Sequence, residues 1–205
     1  MKIRICLFLV IFFTSSSVLA QERYQDEIFS EVIRSTHTYA DKGDEVLDLD
    51  VFRPEGNAEE DLPLLLYVHG GGFSAGTRDG SNTVQFCETM SRKGYVTATM
   101  SYTLVMKGQS FSCDQPASNK INTFRLTGQD IARATKFFLE RQEEFGIDPT
   151  KIVLLGSSAG AEAILHAAYW DEALQENGER IVPEDFKYAG LVSMAGALVT
   201  LDWVT

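Results

Sequence analysis

The chain of 205 residues is 44% apolar and 23% charged, a globular composition that rules out disorder and fibrous structure. Its 18 Lys+Arg against 29 Asp+Glu give a formal net charge of −11, which speaks against binding a phosphate backbone, so no nucleic-acid partner is expected. Residues 1–20 read as an export signal: Lys2 and Arg4, an apolar run over 5–13, then small or apolar residues before a cut after Ala20. That run falls well short of the roughly 20 residues a bilayer-spanning helix needs, so no membrane anchor is expected. Cys6 lies inside the run rather than just after the cut, which argues against a lipoprotein. Export to the periplasm or the exterior leaves residues 21–205 as one domain. Cys87 and Cys113 then face an oxidising compartment, where a disulfide and two separate thiols both remain open.

Along the rest of the chain, strand-like and helix-like periods alternate. Residues 45–52 set acidic residues between Val46, Leu47, Leu49 and Val51, which predicts an outer strand, and a shorter strand over 36–40 pairs with it. The apolar run 63–69, stopped by three glycines, predicts a strand covered on both faces. A helix follows over 83–93, with Val84, Cys87 and Met90 on one side and Gly94 at its end. Residues 95–104 form the next strand. From 119 to 145, Phe124, Ile131, Phe138 and Phe145 recur every seven positions, which predicts one long amphipathic helix closed by Gly146. A buried strand over 151–155, a helix over 159–170 that is apolar nearly all round, and a strand over 188–199 complete the series. Such alternation implies an α/β fold around a mostly parallel sheet flanked by helices.

Two motifs carry chemistry. Gly156-Ser157-Ser158-Ala159-Gly160 leaves a buried strand and opens an apolar helix, the setting of a nucleophile elbow. Small residues two positions either side of Ser158 allow the chain to reverse sharply and to hold the serine at a strained apex. The second motif is His69-Gly70-Gly71-Gly72-Phe73, on the loop leaving an earlier strand. Its bare N–H groups can converge on a developing oxyanion, and with the N–H of Ala159 they give a hole built from Gly71, Gly72 and Ala159. Gly70-x-Gly72-x-x-Ala75 also matches a dinucleotide fingerprint formally. The helix starts too late for that reading, and 95–104 contains no acid to hold a ribose.

Taken together, these residues make the chain resemble the α/β-hydrolase superfamily, and within it the hormone-sensitive-lipase-like and related carboxylesterases. The likeness runs over residues 48–198 and rests on 69–73, 102–104, Asp130, 146–149 and 156–160. It implies an α/β-hydrolase fold and a serine esterase working through an acyl-enzyme on small or carbohydrate-linked esters, with no cofactor and no metal. Ser157 stands where relatives often carry an acid, and Ala161-Glu162 where many have a further glycine. A hydrolase-like binding protein without catalysis and an exported serine peptidase are the alternatives.

In that fold the acid and histidine follow the nucleophile on loops after two later strands. His166 lies two helical turns past Ser158, about 12 Å along the axis, and is expected to pack or cap. The resemblance gives His69 a structural role in the glycine loop, and His37 should lie remote and solvent-facing. Glu162 has no histidine to orient, and Asp202 precedes the strand that would bear the acid. The expectation is therefore a C-terminally incomplete domain lacking the last two strands, with the triad acid and histidine outside the chain.

Overall fold

In the computed structural model, residues 23–199 are described. The export signal at 1–20 and Asp202 lie outside them. Six strands form the main sheet: β1 (Val32–Asp41), β2 (Val46–Pro54), β3 (Leu62–Val68), β4 (Val96–Met100), β5 (Ile147–Ser157) and β8 (Gly190–Met194). Their spatial order is β1-β2-β4-β3-β5-β8. The β1/β2 and β2/β4 pairs are antiparallel, and β4/β3, β3/β5 and β5/β8 are parallel. The mostly parallel sheet expected from the alternation is thus present, with an antiparallel hairpin at one edge.

Helices cover both faces: α1 (Ser81–Arg92), α2 (Ala117–Glu140), the single turn α3 (Gln142–Phe145) and α4 (Ala159–Tyr169). Neighbouring residues of a strand point to opposite faces. The Thr97 hydroxyl donates to the Cys87 carbonyl of α1, whereas Ala98 and Met100 join a core with Phe124, Ile131 and Phe138 of α2. So α1 covers one face, and α2 with α4 the other.

Several boundaries differ from the sequence reading. The seven-residue spacing continues through residue 145, but the helix breaks at Arg141, where φ is −124°, and resumes as α3 before Gly146 closes it in a left-handed conformation. The strand over 95–104 stops at Met100, and that over 188–199 is confined to Gly190–Met194. A 3-10 turn (Asp171–Leu174) and a small hairpin, β6 (Gln175–Glu176) with β7 (Glu179–Arg180), carried no periodic signal. His37 is not solvent-facing: its ring packs edge-on against Phe145 at 5.2 Å and near Phe137. Asp50, which reads as an outward acid of an outer strand, is 0% exposed. Cys87 is a buried free thiol, pushed up to about 12 by burial, and Cys113 is an exposed one. Among the described residues no helix is long and apolar enough to cross a membrane.

Candidate active site

The ends of β3 and β5 lie level, with Val68 opposite Gly156, so the segments leaving them meet above the same edge of the sheet. From β5 the chain turns into α4 through Ser158, whose φ of 51° and ψ of −121° lie in a region that costs an L-residue energy. What forces the turn is backbone packing. A Cβ on Gly156 would collide with the Gly160 carbonyl, and one on Gly160 would strike the Val68 carbonyl and stand 2.7 Å from that of His69. The elbow therefore folds onto itself and onto the end of β3, with room for hydrogen alone. The Ser158 N–H donates to Met194 O at 2.8 Å, and its carbonyl accepts from the Glu162 N–H at 3.0 Å. Ser158 is exposed, and Ala159 is buried at the first position of α4, where a helix offers unpaired N–H groups and positive potential.

The glycine loop after β3 is held differently. A Cβ on Gly70 would stand 3.3 Å from Ser158 Cβ and 2.8 Å from Ser157 O, which sets the start of the loop against the elbow. Gly71 has a φ of +126° and lies so close to Ala75 O that no side chain fits. Its carbonyl accepts from the N–H groups of Ser74 and Ala75. Phe73, fully buried, packs 4.9 Å from Phe111 and 5.6 Å from Phe124, and its carbonyl accepts from Met106 N–H. The structure thus gathers Ser158, Ala159 and the loop bearing Gly71 and Gly72 at one place.

Each histidine ring is committed to packing. His69 lies stacked on Tyr102 at 4.4 Å, and the Tyr102 hydroxyl donates to the His69 carbonyl at 3.0 Å. Nδ1 of His69 is 2.7 Å from Gly70 O, so this nitrogen carries the proton. Burial pushes the ring below the usual histidine range, against the opposing pull of that hydrogen bond. His166 is stacked on Phe124 at 4.0 Å with Nδ1 2.7 Å from Glu162 O, and burial lowers it as well. His37 belongs to β1. Glu162, one turn past Ser158, is half-buried; burial raises its carboxyl and the Lys120 ammonium draws it down. The Ser157 hydroxyl accepts from Tyr67 OH at 3.2 Å.

Two buried carboxylates escaped the sequence reading as anchors. Asp130 of α2 accepts from Thr103 N–H at 3.0 Å and pairs with Lys42 and Arg133 at 2.6 Å each, which pins the segment after β4. Asp50 pairs with Arg34 at 2.9 Å and with Arg78, from the far end of the glycine loop, at 3.1 Å. Asp130 was visible only through the resemblance. Arg78 and Asp50 carried no signal, since one is a single arginine in a polar stretch and the other an acid in an alternating strand. Among the described residues no cluster of three or more His, Cys, Asp or Glu could hold a metal ion.

The family model described as BD-FAE matches residues 49–201. The chain is similar to fumonisin B1 esterase of Sphingopyxis macrogoltabida, 30% identical over 145 residues that cover 68% of this chain and 26% of the relative. It is also similar to gut esterase 1 of Caenorhabditis briggsae, 31% identical over 122 residues, 60% of this chain and 21% of the relative. The chain therefore spans about a quarter of the length of these curated relatives. Among solved structures, esterase 2 of Thermogutta terrifontis phosphorylated by paraoxon superposes with a TM-score of 0.59 at 19% identity, over 77% of this chain and 56% of that one. Brefeldin A esterase, a bacterial homologue of human hormone sensitive lipase, gives 0.52 at 22%, over 76% and 41%. These two likenesses speak for the fold.

Proposed function

The chain belongs to the BD-FAE family of α/β-hydrolase carboxylesterases, and on that premise we propose that the protein is a serine-dependent carboxylic ester hydrolase. One observation carries the reading: an exposed serine in strained backbone, at the N-terminus of a buried helix, with a loop of consecutive glycines laid against it. In the proposed reaction Ser158 Oγ attacks the acyl carbon, and the N–H groups of Gly71, Gly72 and Ala159 receive the charge that develops on the carbonyl oxygen. The alcohol leaves, an acyl-enzyme remains, and water releases the acid. The proposed proton acceptor is a histidine oriented by an acid; because the three described histidine rings are each held by aromatic contacts, we place that histidine outside the described residues. The substrates are small or carbohydrate-linked esters, met after export.

Labelling with a fluorophosphonate tests the nucleophile: the protein should be labelled and Ser158→Ala should not, while a label that persists in the variant removes the reading. The 205-residue chain on its own should show no appreciable turnover of a short 4-nitrophenyl ester. Enzyme-like turnover by that chain, lost in Ser158→Ala, would place the base within it. The packed histidines favour a second reading, a hydrolase-like protein that binds an ester or a partner in the same cleft without cleaving it. Absence of label in the whole protein, together with saturable ester binding, would decide for it.

A further inference from the structure

The loop bearing Gly71 and Gly72 has two anchors of different kinds. Phe73 seats an apolar ring among Phe111, Phe124 and Tyr102, an attachment without direction. At its other end Arg78 reaches back to the antiparallel edge of the sheet. Its Nε lies 3.1 Å from Asp50 Oδ2, its Nη1 donates to Ser101 Oγ at 3.3 Å, and its Nη2 is 4.0 Å from Asp48 Oδ2. The guanidinium thus sits between two carboxylates of β2 and is tied by one hydrogen bond to Ser101, just past β4, whereas the ring of Phe73 in its apolar pocket has no charged or hydrogen-bonded partner.

Between the two anchors the loop is closed on itself. The amides of Ser74 and Ala75 close onto the Gly71 carbonyl. Gly76 lies so close under His69 that a Cβ there would stand 2.5 Å from Nδ1. Arg78 therefore follows, two residues on, a short segment closed around the Gly71 carbonyl. We infer that Arg78, seated on buried Asp50, is a positioning residue that sets those two donors over Ser158. This rests on the proposed esterase reading, in which the donors hold the oxyanion. Removing Arg78 strands no charge, because Asp50 keeps Arg34 at 2.9 Å and the Thr36 hydroxyl at 2.6 Å. Arg78 is itself 23% exposed. Its loss should loosen the loop without unfolding the sheet.

The test uses the whole protein, 4-nitrophenyl acetate as substrate, and a trifluoromethyl ketone whose serine adduct places an oxyanion on the same donors. Arg78→Ala should lower kcat by about a hundredfold with KM within about twofold, and weaken the ketone in parallel with kcat/KM. Arg78→Lys, which keeps the charge beside Asp50 but not the planar group that also reaches Ser101, should recover about tenfold of the loss. An unchanged kcat in Arg78→Ala overturns the inference, as does a lowered kcat with undiminished ketone affinity, or a lysine variant no better than alanine. If Arg78→Ala does not fold, Arg78→Lys decides: an intermediate kcat with matching loss of ketone affinity supports the role, and wild-type values end it. Turnover that survives Ser158→Ala removes the reading of the site, whereas Ser158-dependent turnover indifferent to Arg78 removes this inference alone.

Discussion

The elbow at 156–160 and the glycine loop at 69–78 sit side by side, yet they are fastened to the fold in different ways. The elbow is set by backbone against backbone: Gly156 against the Gly160 carbonyl, and Gly160 against the ends of β3. The loop shares such backbone contacts at Gly71 and Gly76 but is anchored to the rest of the fold by side chains: His69 on Tyr102, Phe73 in its aromatic cluster, Arg78 on Asp50. The elbow should therefore tolerate losing a side chain and fail on gaining one. The loop should fail on losing one of its anchoring side chains as well.

The largest effect is expected where a side chain is added to the elbow. Gly160→Ala puts a methyl group into the Val68 carbonyl, which belongs to an interior strand and cannot yield. A loss of about 4 kcal/mol in urea unfolding is expected, and a loss below about 1 kcal/mol would show the elbow to be softer than its packing implies. Next comes truncation in the loop. Phe73→Ala empties a fully buried site and should cost about 3 kcal/mol by the same measurement. Truncation in the elbow should have the opposite sign: Ser158→Gly relieves a non-glycine residue at φ 51°, so stability should rise by about 1.5 kcal/mol while fluorophosphonate labelling disappears. Tyr102→Phe leaves the His69 carbonyl without its buried donor and should cost about 1 kcal/mol, confined to the loop.

The smallest effect is a pH dependence shared by the two regions. Burial holds His69 in the loop and His166 in the helix below the elbow beneath their ordinary value of about 6.5. Below that value the unfolded chain takes up protons that the folded chain refuses. The stabilisation these rings contribute is thus complete above pH about 6.5 and is lost as the pH falls through their folded values. Glu162, raised by burial, acts in the opposite sense nearer the carboxylate range. Urea midpoints compared between pH 7.5 and 5.5 should fall on acidification, and less so in His69→Gln and in His166→Gln.

The same contrast decides what could be read from the sequence. The glycines that let the elbow reverse lie within five consecutive residues, so strand, turn and helix were legible together, although the backbone they press against at Val68 and His69 was not. The glycines of the loop were equally plain, but their anchors were not. Arg78 meets an acid 28 positions earlier, and Phe73, Phe111 and Phe124 share no period. The helix break at Arg141 was hidden because Phe145 reaches the same core from its own turn, so the seven-residue spacing continues across it. The strand over 95–104 has β-forming residues to its end. Beyond Met100 they turn to other tasks: Ser101 O accepts from Tyr39, Tyr102 holds His69, and Thr103 N–H meets Asp130. Local chemistry is written in the sequence where it is needed, and tertiary anchoring is shared between distant positions.

The strand order carries a consequence for assembly. In the finished sheet β3 is interior, paired on one side with β4 and on the other with β5. The hydrogen bond between Tyr67 and Ser157 joins residues 90 positions apart. During synthesis β1 to β4 can pair while the other edge of β3, rich in leucine, stands open until β5 has been made. A parallel pairing over so long a loop is slow to close, and in that interval the open edge invites a second nascent chain. The strand that later supports the nucleophile thus first serves to seal an adhesive edge, and slowing its docking should show as aggregation before it shows as lost catalysis.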